Sequence, residues 1–126
     1  MNAVLDTSAV LAVLWDEPGA ALVAERLAGA KISAVNLAEL VTKLVDRGAG
    51  DGELSEVVGD LGIEVVAFDL DQAMATGRMR RETRALGLSI GDRASLALGR
   101  REGAAVVTAD RAWAEVDVGV TVEVIR

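Results

Sequence analysis

With 126 residues, 20 acidic against 13 basic, and a formal net charge of −7, the chain is long enough for one core and too acidic for a broad basic nucleic-acid face. It has no cysteine and no histidine, which excludes disulfide scaffolds, thiolate zinc sites, cysteine nucleophiles and the commonest general base. Catalysis, if present, runs on carboxylates, hydroxyls, Lys or Arg.

Hydrophobic residues make up 52% of the chain and aromatics only 2%, so the core must be built from Val, Leu, Ile and Ala, as in layered α/β folds. The apolar runs are all too short to span a membrane, and "MNAVLD" is not a basic leader followed by an apolar stretch. A soluble cytoplasmic protein without a membrane partner is expected. The negative charge leaves room for a local or metal-mediated contact with phosphates.

In chain order, "NAVLD" (2–6) predicts a buried strand, and Ser8 is a candidate N-cap for the helix "AVLAVLW". "DEPG" (16–19) predicts a turn, and "AALVAERLAG" a short helix closed by Gly29. "KISA" (31–34) is strand-like. It leads into "VNLAELVTKLVDRG", where apolar residues at 37, 40, 41, 44 and 45 form a helical stripe. "DGELSEVVGDLG" predicts a helix and "IEVVAF" (63–68) a strand. One long amphipathic helix from Asp69 to Leu86 follows, carrying Arg78, Arg80, Arg81 and Arg84. "IGDRASLALGRREG" predicts another helix, "AAVVTA" a strand, "DRAWAE" a turn of helix and "VTVEVI" a last strand. Strands alternating with helices predict a single α/β domain over 1–126. Its centre is a mainly parallel sheet of about five short strands between two helical layers.

In such a sheet strands end and crossover helices begin on one carboxyl edge, where ligands bind. Asp6 and Asp110 both follow strands, Asp92 lies in the first turn of a helix, and Glu39 sits about two turns into another. Four carboxylates from distant segments can therefore meet at one rim. Like charges at that distance raise one another's pKa unless a cation compensates them. Mg²⁺ or Mn²⁺, which take oxygen ligands, suit a rim without His or Cys better than zinc does. Two such ions about 3.5–4 Å apart activate a water and stabilise a leaving oxygen in phosphodiester chemistry. Thr7, Ser8 and Thr108 are placed to orient the acids.

Taken together, "VLDTSAV", "ISAVNLAEL", "LSIGDRASLALG" and "VVTADRAW", in this order over nearly the whole chain, resemble a PIN-domain ribonuclease of the VapC toxin type. The resemblance implies the PIN fold and implies that Asp6, Glu39, Asp92 and Asp110 are the metal-binding catalytic acids. It further implies RNA as substrate, hydrolysis leaving a 3′-hydroxyl and a 5′-phosphate, a homodimer, and inhibition by a cognate VapB-type antitoxin.

Each acid also has a purely structural reading. Asp6 and Asp110 fit helix caps, Asp92 fits a first-turn acid, Glu39 fits a solvent-facing helix acid, and Asp117 is left to its loop. "FDLD" (68–71) invites comparison with aspartyl-phosphate phosphatases, but a helical pattern begins at once, so Asp69 reads as an N-cap. The Arg78–Arg84 group reads as a solvated face, with a minor alternative role in guiding RNA. Trp15 and Trp113 read as packing residues rather than base-stacking platforms, since so few aromatics argue against RNA recognition by a stacking surface, and Leu11, Leu14, Trp15 and Leu22 read as core or as a groove for a partner segment. Two rival functions are weighed. A phosphoacceptor receiver domain needs a late lysine, whereas Lys31 and Lys43 lie early; the other rival is a PIN-fold binding module without catalysis.

Overall fold

The computed structural model describes residues 2–126. The elements are β1 (Ala3–Leu5), α1 (Thr7–Leu14), α2 (Ala20–Ala24), β2 (Lys31–Ser33), α3 (Ala34–Asp46), α4 (Asp51–Leu61) and β3 (Glu64–Val66). They continue with α5 (Leu70–Arg78), α6 (Arg80–Thr83), α7 (Ile90–Glu102), β4 (Ala105–Thr108) and β5 (Val122–Val124). Single 3₁₀ turns cover Arg84–Leu86 and Arg111–Glu115.

All pairings are parallel and the strand order is β3-β2-β1-β4-β5. The chain thus builds outward from β1 to β3, then returns across the sheet to lay β4 against the other side of β1. That reversal opens a crevice at the carboxyl ends of β1 and β4, the two central strands.

Alternation along those strands divides the core into two layers. Ala3, Leu5 and Val107 face one way and pack with Val10 of α1, Ile32 of β2 and Leu40 and Leu44 of α3. Val4 and Val106 face the other way and pack with Met79, with Leu96 and Leu98 of α7, and with Trp113. Buried on both faces, β1 and β4 read as continuous apolar runs, as parallel strands do.

The structure departs from the sequence expectations in three local places. The helix expected over Asp69–Leu86 is broken into α5, α6 and a 3₁₀ turn. The break falls at Met79, which is fully buried and turns its side chain into the second core layer. Gln72, Thr76, Met79 and Thr83 are all buried at helical spacing, so the interruption is local: the Met79 carbonyl accepts from the Glu82 N–H at 3.0 Å in 3₁₀ fashion as well as from the Thr83 N–H at 3.1 Å. The helix expected to close at Gly29 ends at Ala24, and Gly29 serves instead at positive φ in the turn before β2. Ser8 is not the N-cap of the first helix: Asp6 is, its side chain accepting from the Ala9 N–H, so the helix starts at Thr7.

Candidate functional site

At the β1/β4 crevice the structure places a cleft of about 320 Å³ whose walls include Asp6, Glu39, Asp92 and Asp110. All four acids singled out in the sequence therefore share one surface. Thr7 and Ser8 line it as well, and Thr108 lies behind Asp6.

Asp6 is the buried member, only 5% exposed. Its Oδ1 accepts from the Ala9 N–H at 2.8 Å and from the Ser8 hydroxyl at 2.7 Å, and its Oδ2 accepts from the Thr108 hydroxyl at 2.7 Å. The Ser8 hydroxyl in turn accepts from the Ala109 N–H at 2.9 Å, and the Thr108 hydroxyl from the Asp110 N–H at 3.1 Å. These bonds bind the end of β1 to the end of β4. Burial pushes the Asp6 carboxyl up from its ordinary 3.8 to about 6; the hydrogen bonds from Thr108, Ala9 and Ser8 pull it back, and the charge of Asp92 adds to the rise.

Glu39 is set by a buried polar knot that the sequence reading did not identify. Asn36, three residues earlier on the same face of α3, is 2% exposed. Its Nδ2 donates to Glu39 Oε1 at 3.1 Å and to the Gly91 carbonyl at 3.2 Å, while its Oδ1 accepts from the Ser95 hydroxyl at 2.8 Å. The Thr7 hydroxyl shares its proton between the Asn36 carbonyl at 3.0 Å and Glu39 Oε1 at 3.1 Å. Both N–H donors and the oxygen of the Asn36 amide are thus engaged, and α1, α3 and α7 are joined beside Asp6, Glu39 and Asp92. Gly91 completes the fit. A Cβ there would stand 2.3 Å from Glu39 Oε1, so the carboxylate can rest against α7 only over a glycine.

Asp92 closes a capping box with Ser89, its Oδ2 accepting the Ser89 N–H at 2.9 Å. Asp110 caps the 3₁₀ turn after β4, its Oδ1 accepting the Ala112 N–H at 2.9 Å. The structural reading of both acids as caps thus holds, and each cap uses one carboxylate oxygen. Among the described residues, Glu39 Oε2, Asp92 Oδ1 and Asp110 Oδ2 make no hydrogen bond, and Asp6 Oδ2 accepts only the one from Thr108.

That leaves oxygen donors from four acids at one cleft, a set that fits a hard divalent cation. As placed, no three acids among the described residues form a group tight enough to hold one ion together. Asp92 and Asp110 are both turned back onto backbone N–H groups.

Beside the acids the cleft is lined by Trp15, which the sequence offered only as core or as part of a partner groove, and by Lys43 and Arg126, which it did not mark as part of a site. Only their tertiary proximity reveals them. Elsewhere, Asp69 caps α5 as expected, accepting the Gln72 N–H at 2.9 Å. Arg78, Arg80, Arg81 and Arg84 are exposed and make no ion pair among the described residues. No helix among those residues is long and apolar enough to cross a membrane.

Comparison with known proteins agrees with this architecture. The chain is similar to the DNA-bound VapBC complex of Salmonella typhimurium, with 24% identity, a TM-score of 0.76 and 100% of this chain matched to 99% of that one. It is similar to the toxin–antitoxin protein VapBC-5 of Mycobacterium tuberculosis, with 27% identity, a TM-score of 0.64 and coverage of 100% and 99%. It also resembles VapC20 of Mycobacterium tuberculosis, described as a sarcin-ricin loop cleaving toxin, with 19% identity, a TM-score of 0.73 and coverage of 94% and 98%. No curated protein matches at the level of sequence. The PIN domain family model matches residues 3–119, nearly the whole sheet and all four acids, and the chain belongs to the PIN-domain family.

Proposed function

We propose that this PIN domain is a Mg²⁺- or Mn²⁺-dependent endoribonuclease and the toxin of a VapBC-type pair. One observation carries the reading: Asp6, Glu39, Asp92 and Asp110, from four separate segments, line a single cleft at the carboxyl edge of a parallel sheet. The likeness to VapBC assemblies and to a VapC described as a sarcin-ricin loop cleaving toxin supports it.

Asp6, Asp92 and Asp110 would hold the metal, with Glu39 completing the site directly or through water. When bound, the cation supplies charge neutralisation, an activated water and stabilisation of the leaving oxygen. The chain's own residues do the rest. Ser8 and Thr108 fix the Asp6 carboxylate, while Asn36, Thr7 and Gly91 fix Glu39. Blocking this cleft with an arginine of a VapB-type antitoxin is the simplest inhibition it allows. The same assignment includes a homodimer and a cytoplasmic location.

The test is incubation of a mixed RNA pool with partner-free protein in Mn²⁺ or Mg²⁺, beside EDTA and Asp92→Asn controls. Cutting that disappears in both controls is expected. Cutting that survives either control overturns the assignment. A second reading, a PIN-fold binding module, has on its side the lack of a tight three-acid group among the described residues. Neither cutting nor metal binding by the isolated protein would select it.

A further inference from the structure

The cleft contains two features that the four acids do not use. Lys43 lies one helical turn beyond Glu39 on α3 and lines the same cleft, yet it makes no ion pair among the described residues. The other cation there, Arg126, is held by Glu17 Oε1 at 3.3 Å and the Pro18 carbonyl at 3.1 Å. Trp15, at the end of α1, also lines the cleft. The guanidinium of Arg47 lies 3.9 Å from its ring centroid, and Arg47 is not itself a cleft residue. Arg47 thus packs on the indole from outside the cleft, while Trp15 itself lines the cleft wall. Trp113, the other tryptophan, is fully buried, so Trp15 is the one in contact with solvent.

Building on the nuclease reading, we propose that Lys43 and Trp15 form a nucleotide subsite beside the acids. Lys43 takes a backbone phosphate of single-stranded RNA, and Trp15 stacks an unpaired base. An acidic chain with five carboxylates lining its cleft, Glu17 among them, repels a polyanion, and a cation one turn from Glu39 with no ion pair among the described residues offsets that repulsion where the strand must enter. An aromatic ring at the same wall supplies a sequence-tolerant platform, since every base presents a π face. Leu11, also in the lining, adds apolar surface beside the ring.

The whole chain carrying Asp92→Asn, chosen to bind without cutting, is titrated in Mg²⁺ with a fluorescein-labelled, mixed-sequence single-stranded RNA across a salt series. Tryptophan emission is read in parallel. RNA is expected to quench Trp15. Lys43→Gln, at an exposed position that does not threaten folding, is expected to weaken binding several-fold and to reduce the slope of log K against log salt by about 0.7 to 1. Trp15→Leu is expected to weaken binding roughly tenfold and abolish quenching while leaving that slope unchanged; Trp15→Phe should keep most of the affinity. In the cutting protein, Lys43→Gln and Trp15→Leu raise KM more than they lower kcat. If RNA binds and is cut but neither substitution alters affinity, salt slope or KM, the subsite is overturned and the nuclease reading stands. A Trp15→Phe loss as severe as that of Trp15→Leu overturns the stacking role. If the unsubstituted chain neither binds nor cuts RNA, both fall together.

Discussion

The Thr108 hydroxyl donates to Asp6 Oδ2 at 2.7 Å, joining the ends of the two central strands across 102 residues of sequence. The bond stabilises a carboxylate that the fold has otherwise stripped of water. Its insufficiency is measurable, because burial still leaves Asp6 near 6 rather than 3.8.

A raised folded-state value means that the folded protein holds the Asp6 proton more tightly than the unfolded chain does. The stability this contributes is complete below pH 3.8 and is lost as pH rises through about 6, amounting to on the order of 3 kcal/mol over that window. Asp6→Asn removes the charge and keeps an oxygen for the Ala9 N–H, and the Thr108 hydroxyl can turn to accept from the new amide. In metal-free buffer the variant should melt several degrees above the parent at pH 7.5, with the gap closing toward pH 4. Calorimetry at both pH values checks this, and an unchanged or lower midpoint at pH 7.5 contradicts it.

Divalent ions should act in the opposite sense on the parent protein. Mn²⁺ at about a hundred times its dissociation constant would raise stability by about 2.7 kcal/mol, more at pH 7.5 than at pH 5, where Asp6 is largely protonated. Asp92→Asn should lose most of that gain. A melting temperature indifferent to Mn²⁺ in the parent would sink the metal assignment.

Asn36→Ala strips partners from Ser95, Glu39 and the Gly91 carbonyl at once. Leaving buried polar groups unpaired should cost about 1–3 kcal/mol in urea unfolding. Ser95→Ala orphans only the Asn36 Oδ1 and should cost less. Equal losses in the two variants would show that Asn36 does not organise the knot.

Gly91→Ala separates stability from function. A Cβ at 2.3 Å from Glu39 Oε1 forces the carboxylate off α7, while alanine in a helix is worth up to about 1 kcal/mol over glycine. The variant should unfold within about 1 kcal/mol of the parent yet cleave RNA at a small fraction of its rate. Parental cleavage would mean that the resting place of Glu39 is immaterial to the chemistry.

The sequence displays the sheet and its rim because both depend on local pattern. Apolar runs such as "AVVTA" end in polar residues where a buried strand must leave the core, and this exposes Asp6 and Asp110 as strand-end acids. Asn36 was hidden because its partners lie 55 and 59 residues away, at Gly91 and Ser95. Only its place three residues before Glu39, among apolar neighbours, hints at a buried amide. Lys43 is illegible as a cleft residue for the same reason, and Trp15 reads only as packing or a partner groove, with nothing local to join it to the acids. The sequence offers both Ser8 and Asp6 as caps of α1, because Ser and Asp are comparable caps, and the structure selects Asp6. Asp6 holds the Ala9 N–H, while Ser8 donates to Asp6.

The register of β1 against β4, with Ala3 opposite Ala105 and Leu5 opposite Val107, also orders events during synthesis. A growing polypeptide already contains Asp6, Glu39 and Asp92 while it still lacks Thr108, Asp110 and the strand against which Asp6 is set. Closing so long a loop comes late in folding. The first acid translated therefore meets its β4 partner only after Thr108 has been made, and the four-acid rim is complete only once Asp110 has emerged.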